Sequence, residues 1–285
     1  MSALRRIHLA YDGSLHGDWT ARYALSLAGS LREPRLRVVH VAELGAELAD
    51  LAGRLAWLER LGRDAGVVIE VERVKGPDVY LALDRAVPAR PDTLLVCGTR
   101  ARDRGRGLLL GTPTERLLRA GGRNVLALRV LDPGSLGAPE RVLVPLSDNP
   151  RAARRILPLL ELLAPRTHEL SLYRAVAVSE LAFRHLSAHA SQELVEEALA
   201  RLDAERALLD EHLELGPRRI DARVEVCDDW PRSVLLTASR MRARLILLGA
   251  TERSLPKRFF LGNPTEQVLR GASTDVGIFR AAREP

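Results

Sequence analysis

Two glycines thirteen residues apart, Gly98 and Gly111, enclose a loop carrying Arg100, Arg102, Arg104 and Arg106, and the second glycine leads into Thr112-Pro113-Thr114. Glycine lets a backbone approach an anion closely or take a left-handed turn. A threonine then suits the N-cap of a helix, and a proline the first helical position, where its missing N–H would have had no partner. The amides of Thr114, Glu115 and Arg116 would sit at the positive end of the helix dipole, a natural seat for phosphate. Thr112 and Glu115 fit equally well the S/T-x-x-E capping box, whose side chains satisfy a helix start with no ligand at all. The same text returns later in the chain: Leu109–Arg119 recurs as Phe260–Arg270, and Gly249 precedes Gly262 at the same spacing of thirteen. An internal duplication follows.

Placing such a loop requires a strand before it and a helix after it, and the chain supplies both repeatedly. In the first half, apolar runs at 7–11, 36–41, 67–74, 93–97 and 125–129 read as strands. Between them, apolar residues at helical spacing predict helices around Trp19 to Ala28, over 44–61, over 78–87 and from Pro113 onward. The second half repeats the plan, with strands at 141–146, 169–176, 220–226 and 245–248 and helices at 151–163, 192–215 and 231–241. Such alternation implies right-handed crossovers and a parallel sheet covered on both faces. The fold class is α/β, two tandem doubly wound parallel-sheet domains. The stretch 131–139 is rich in Pro and Gly and reads as a linker, which divides the chain into domains at 1–131 and 139–285. In an open parallel sheet, ligands bind beyond the carboxyl ends of the strands where the winding reverses. If strand one neighbours strand four, Tyr11, Asp12 and Gly13 face Gly98, Thr99 and Arg100.

With 285 residues, 46% hydrophobic and 28% charged, the chain has the length and composition of two ordinary globular domains. No apolar stretch is long enough to span a bilayer, and the start leads straight into a strand, so the expected compartment is the cytoplasm. Cys97 and Cys227 lie in different halves and are expected as free thiols. The net charge of +6 comes almost wholly from arginine, since Lys75 and Lys257 are the only lysines. Those arginines are interleaved with acids and aromatics make up 4%, which argues against a nucleic-acid surface. His185 and His189, four apart on a predicted helix face, lack a third metal ligand. His8 and His40 are expected to be hydrogen-bonded structural histidines.

Glycine, two residues, glycine, nine residues, glycine and a hydroxyl residue after strand four, with an Asp closing strand one, resembles the nucleotide-binding universal stress protein family. The resemblance covers nearly the whole chain as two tandem domains. It implies a five-stranded domain of order 3-2-1-4-5, and pairing of the halves through their last strands as an intramolecular pseudo-dimer, with a homodimer of whole chains as a further arrangement. It also implies ATP, or AMP or cyclic AMP, as ligand, with Mg accompanying ATP. Carried over, Asp12 takes the adenosine position beside Tyr11, Val41 closes strand two, and Gly98 is the first motif glycine. Gly111 and Thr112 form the last pair, Pro113 opens the helix, Thr114 is a further phosphate donor, and Arg100 offsets phosphate charge. Ala101 stands at the second motif glycine, a departure. The second half departs further, with Ser147 for the Asp, Glu252 for the second glycine and Asn263 for the hydroxyl residue, and is expected to bind nucleotide poorly. No enzymatic activity is expected beyond slow ATP hydrolysis. The Ser-Gly-Gly loop of the related α-hydrolase-like enzymes is not supplied by Asp12-Gly13-Ser14-Leu15-His16.

Overall fold

Strands buried on both faces must be apolar throughout, and β4 (Thr93–Gly98) shows it: Leu94, Leu95, Val96 and Cys97 are all buried. In the first half β1 (Arg6–Ala10), β2 (Arg35–Ala42), β3 (Val68–Lys75), β4 and β5 (Asn124–Arg129) alternate with α1 (Leu15–Ala28), α2 (Leu51–Asp64), α3 (Val79–Ala86) and α4 (Pro113–Ala120). The second half carries β6 (Arg141–Pro145), β7 (Glu169–Ala177), β8 (Arg219–Cys227), β9 (Leu245–Gly249) and β10 (Asp275–Arg280). Its helices are α5 (Ala152–Leu163), α6 (Glu180–His185), α7 (Ala188–His212), α8 (Trp230–Arg240) and α9 (Pro264–Gly271). This computed structural model describes residues 4–42, 50–99, 109, 111–213, 219–250 and 263–283. The predicted helix over 44–61 thus falls partly outside the described residues.

All ten strands form one sheet in the order β3-β2-β1-β4-β5-β10-β9-β6-β7-β8. The order 3-2-1-4-5 therefore holds in each half, and the halves join through their last strands. That seam is antiparallel, with Arg129 opposite Val276 and Val125 opposite Arg280. One core layer lies under α1, α2, α5 and α7, with Tyr23, Leu58, Leu159 and Leu202 in it. The other lies under α3, α4, α8 and α9, with Leu83, Leu118, Val234 and Leu269.

The first residue of each last strand ties down the chain leaving the other. Asn124 Oδ1 accepts from the Ala282 amide at 2.9 Å. Asp275 Oδ1 accepts from the amides of Leu131 and Asp132 at 2.7 and 2.8 Å, and its Oδ2 takes a 2.6 Å hydrogen bond from the Tyr23 hydroxyl. The stretch read as a linker is thus clamped at its root by a buried carboxylate of the other half.

The region before the long helix differs from the sequence expectation. A single helix over 192–215 is replaced by α6 and an earlier-starting α7, capped in turn by Ser179 and Ser187, whose hydroxyls accept from Ala182 and Ala190 amides at 3.2 and 3.1 Å. Apolar periodicity could not show α6, because it buries no side chain. His185 and His189 consequently sit on different helices, and His189 lies 3.3 Å from Glu193.

Candidate functional site

β1 is hydrogen-bonded to β2 on one side and β4 on the other, so the winding reverses there and the carboxyl ends of the strands open a cleft. Its volume is about 320 Å³. Tyr11, Asp12, Val41 and Gly98 line it, and so do Thr112, Pro113 and Thr114 from the start of α4. Gly111 lies immediately before that wall. Arg100 and Ala101, with Arg102, Arg104 and Arg106, lie outside the described residues. The inner wall is apolar, made by Val39, Val41, Val79 and Leu83, whereas the rim carries Asp12, His16, Thr112 and Thr114. A flat apolar ring with a polar tail suits that division.

Asp12 is held rather than loose. Its Oδ1 accepts from the Ser14 amide at 3.0 Å and from the Ser14 hydroxyl at 2.6 Å, and the same hydroxyl caps α1 by accepting from the Gly17 amide at 3.0 Å. The carboxylate thus sits at a helix N-terminus, where the dipole favours negative charge. A Cβ on Gly17 would overlap the Asp12 carboxylate and come within 3.2 Å of the Tyr11 ring, so glycine makes the room. Tyr11 is buried, and its hydroxyl donates to Asp18, which also pairs with Arg54 of α2. Burial, then that hydrogen bond, pushes the Tyr11 hydroxyl well above its usual range, so it stays protonated. His40 Nδ1 lies 2.9 Å from the Tyr11 carbonyl oxygen, a structural role. Burial also pushes the Cys97 thiol up to about 12, which leaves a neutral thiol in the cleft.

At the start of α4, Gly111 adopts φ 72°, a left-handed conformation that favours glycine. Thr112 is the N-cap: its hydroxyl accepts from the Glu115 amide at 3.2 Å and donates to the Leu109 carbonyl at 2.7 Å. Glu115 reaches back to the Gly111 amide at 2.7 Å, and Arg119 neutralises it at 3.0 Å. This is the capping box, shifted by one residue on its return arm. It corrects the expectation of three open amides: Glu115 and Arg116 donate to Thr112, and only Thr114 has no amide acceptor among the described residues. The Thr114 hydroxyl donates to the Gly98 carbonyl at 3.0 Å, bridging the two motif glycines' flanks.

At the counterpart position of the second half stands a larger side chain. Register places Tyr173 opposite Pro145 as Val39 stands opposite Ala10, and each accepts a main-chain hydrogen bond from the residue after the first strand. Where the first half has Val39 in the cleft lining, the second has the buried Tyr173, whose hydroxyl bonds Glu225 at 2.9 Å and Ser233 at 2.6 Å. One residue on, Arg174 replaces His40 and reaches the Ser147 carbonyl at 3.1 Å and Glu205 at 3.1 Å. Asn263 caps α9 through the Thr265 amide at 2.9 Å, and Glu252 lies outside the described residues.

Sequence reading missed Val39, Val79 and Leu83 of the apolar wall, His16, Gly17 and Thr20 of the cleft, and Tyr173 at the counterpart position. Val39 and Val41, two apart on one strand face, carried the available signal. Among the described residues no cluster of His, Cys, Asp and Glu is arranged to hold a metal, and no helix is long and apolar enough to cross a membrane.

A family model described as the Universal stress protein family matches the chain twice, over residues 3–129 and 139–280. No curated protein sequence matches it. Among solved structures, a universal stress protein from Archaeoglobus fulgidus is 15% identical with a TM-score of 0.64, covering 100% of this chain and 99% of that one. A putative universal stress protein from Pseudomonas aeruginosa is 17% identical with a TM-score of 0.59, covering 97% and 93%. The cytoplasmic domain of a prokaryotic cation chloride cotransporter is 13% identical with a TM-score of 0.52, covering 97% and 95%. At these identities the structural likeness is one of fold.

Proposed function

Since the chain belongs to the universal stress protein family, with two of its domains in tandem, we propose that it is a cytoplasmic stress-response module whose first half binds ATP or a related adenine nucleotide. The observation that carries this reading is the cleft at the reversal of the sheet, with an apolar inner wall and a hydroxyl-bearing helix start at its rim. Its volume lies at the lower end of the roughly 300–1,000 Å³ of small-molecule sites. In this reading Val39 and Val41 pack against the base, Asp12 accepts from the ribose hydroxyls, and the Thr114 amide meets the phosphates. Arg100 and its neighbouring arginines then offset phosphate charge, and Mg accompanies ATP.

Binding, and not turnover, is the proposed task. Asp12 is the carboxylate in the lining, and its Oδ1 is already engaged by two hydrogen bonds from Ser14 in holding the turn. The satisfied capping box favours a second reading, an interaction protein of the same fold that holds no nucleotide. Mass spectrometry of small molecules released on denaturing the purified protein separates the two: an adenine nucleotide supports binding. An ATP-induced rise in melting temperature that Gly111→Val leaves unchanged would remove the site.

A further inference from the structure

At the opposite end of the second half's sheet, a groove of about 400 Å³ lies between α8, the turn after it, and the chain entering β10. Arg141, Arg242 and Arg244 line it together with the hydroxyl residues Ser239 and Ser273, and Asp132 is its carboxylate. The duplication supplies an internal control. In the first half Arg6, the counterpart of Arg141, is neutralised by Asp92 at 2.6 Å, and Arg90 joins the same carboxylate at 3.2 Å. Register puts Thr93 opposite Arg6, while Val142 opposite Leu245 brings Arg244 level with Arg141. Ala243 therefore stands where Asp92 does, and the acid has been lost while the arginine has been kept.

Two guanidiniums are left without an acid. Arg244 pairs with Asp132 at 2.7 Å, but among the described residues neither Arg141 nor Arg242 has a carboxylate within ion-pair distance. Glu169, across from Arg141 in the β6–β7 register, makes no ion pair with it. Among the described residues Arg141 bonds only through its Nε, which donates to the Arg242 carbonyl at 2.9 Å, so its terminal nitrogens face a ligand. Three guanidiniums facing one carboxylate in a concave site, with hydroxyls beside them, match the acceptor-rich oxygens of a dianion.

We propose that this groove is a second anion site, independent of the cleft, that takes a doubly charged phosphate group, free or carried as the ester of a small metabolite. Isothermal titration of the whole chain with inorganic phosphate and with glycerol 3-phosphate tests it. Affinity is expected to fall about tenfold in Arg141→Gln and in Arg242→Gly, as befits loss of one charged hydrogen-bonding partner. It should stay unchanged in Arg6→Gln and Gly111→Val. Arg242 has φ 51°, a conformation glycine adopts freely, so Arg242→Gly removes the charge without threatening the fold. Tighter binding of the ester identifies a metabolite headgroup, and equal binding identifies free phosphate. Absence of binding by either probe, unchanged affinity in both arginine variants, or a loss appearing in Gly111→Val overturns the proposal.

Discussion

The two halves share strand order, helix starts and a seam, yet at matching register positions one carries Val39 beside an open cleft and the other a buried Tyr173 bonded to Glu225 and Ser233. The frame survived duplication because each strand must still pair and each helix must still cover the sheet. Crevice residues face no such demand. There one larger side chain, its hydroxyl satisfied by partners on β8 and α8, joins the core.

The largest test of this contrast is stability. Tyr173→Ala should cost about 3–5 kcal/mol by emptying packed core, while Val39→Ala, beside an existing cavity, should cost distinctly less. Urea unfolding of both variants measures it, and equal losses would break the comparison. Next comes the transplant. Val39→Tyr should close the first cleft and remove ATP stabilisation, which amounts to about 2.7 kcal/mol at a ligand concentration one hundred times Kd. A melting-temperature rise with ATP that persists in this variant would show that the ring does not plug the site. Gly111→Ala should cost about 1 kcal/mol by placing a Cβ at positive φ, although open space surrounds that position. Chemical unfolding that finds no loss would remove the conformational argument for glycine there.

The smallest effect is one of slope. At the seam Asn124 and Asp275 are counterparts, but only Asp275 can titrate. Burial raises its carboxyl pKa, against the Leu131 and Asp132 amides and the Tyr23 hydroxyl that pull it down. A raised folded-state pKa gives stability that is fully present below the unfolded value of about 3.9 and is lost as pH rises through the folded value. Asp275→Asn should therefore gain on the wild type from about pH 4 upward, whereas Asn124→Ala should shift stability by the same amount at every pH. Urea titrations across that range check the sign, and a flat difference for Asp275→Asn would mean that the seam does not titrate.

Much of the site was legible because its signals are local. Gly111, Thr112 and Pro113 announced a turn, a cap and a first helical residue, and all three roles are observed. Gly98 ends β4 as expected. The open amides were misjudged because the Thr112 hydroxyl takes the Glu115 amide and the Thr112 carbonyl the Arg116 amide, and which way that hydroxyl turns is a rotamer that spacing does not reveal. The short exposed α6 left no periodic trace, having no face to bury.

By itself, the order of residues determined the α/β class, the duplication, the strand succession and the helix caps, since each depends on contacts within a few positions along the chain. Tertiary structure alone decided which side chains meet around Val39 and around Tyr173, what clamps the linker, and which arginine lost its acid. Those outcomes depend on side chains that meet from strands far apart in sequence: Tyr173 with Glu225, Asp275 with Tyr23, and Arg141 facing the place that Asp92 fills in the other half.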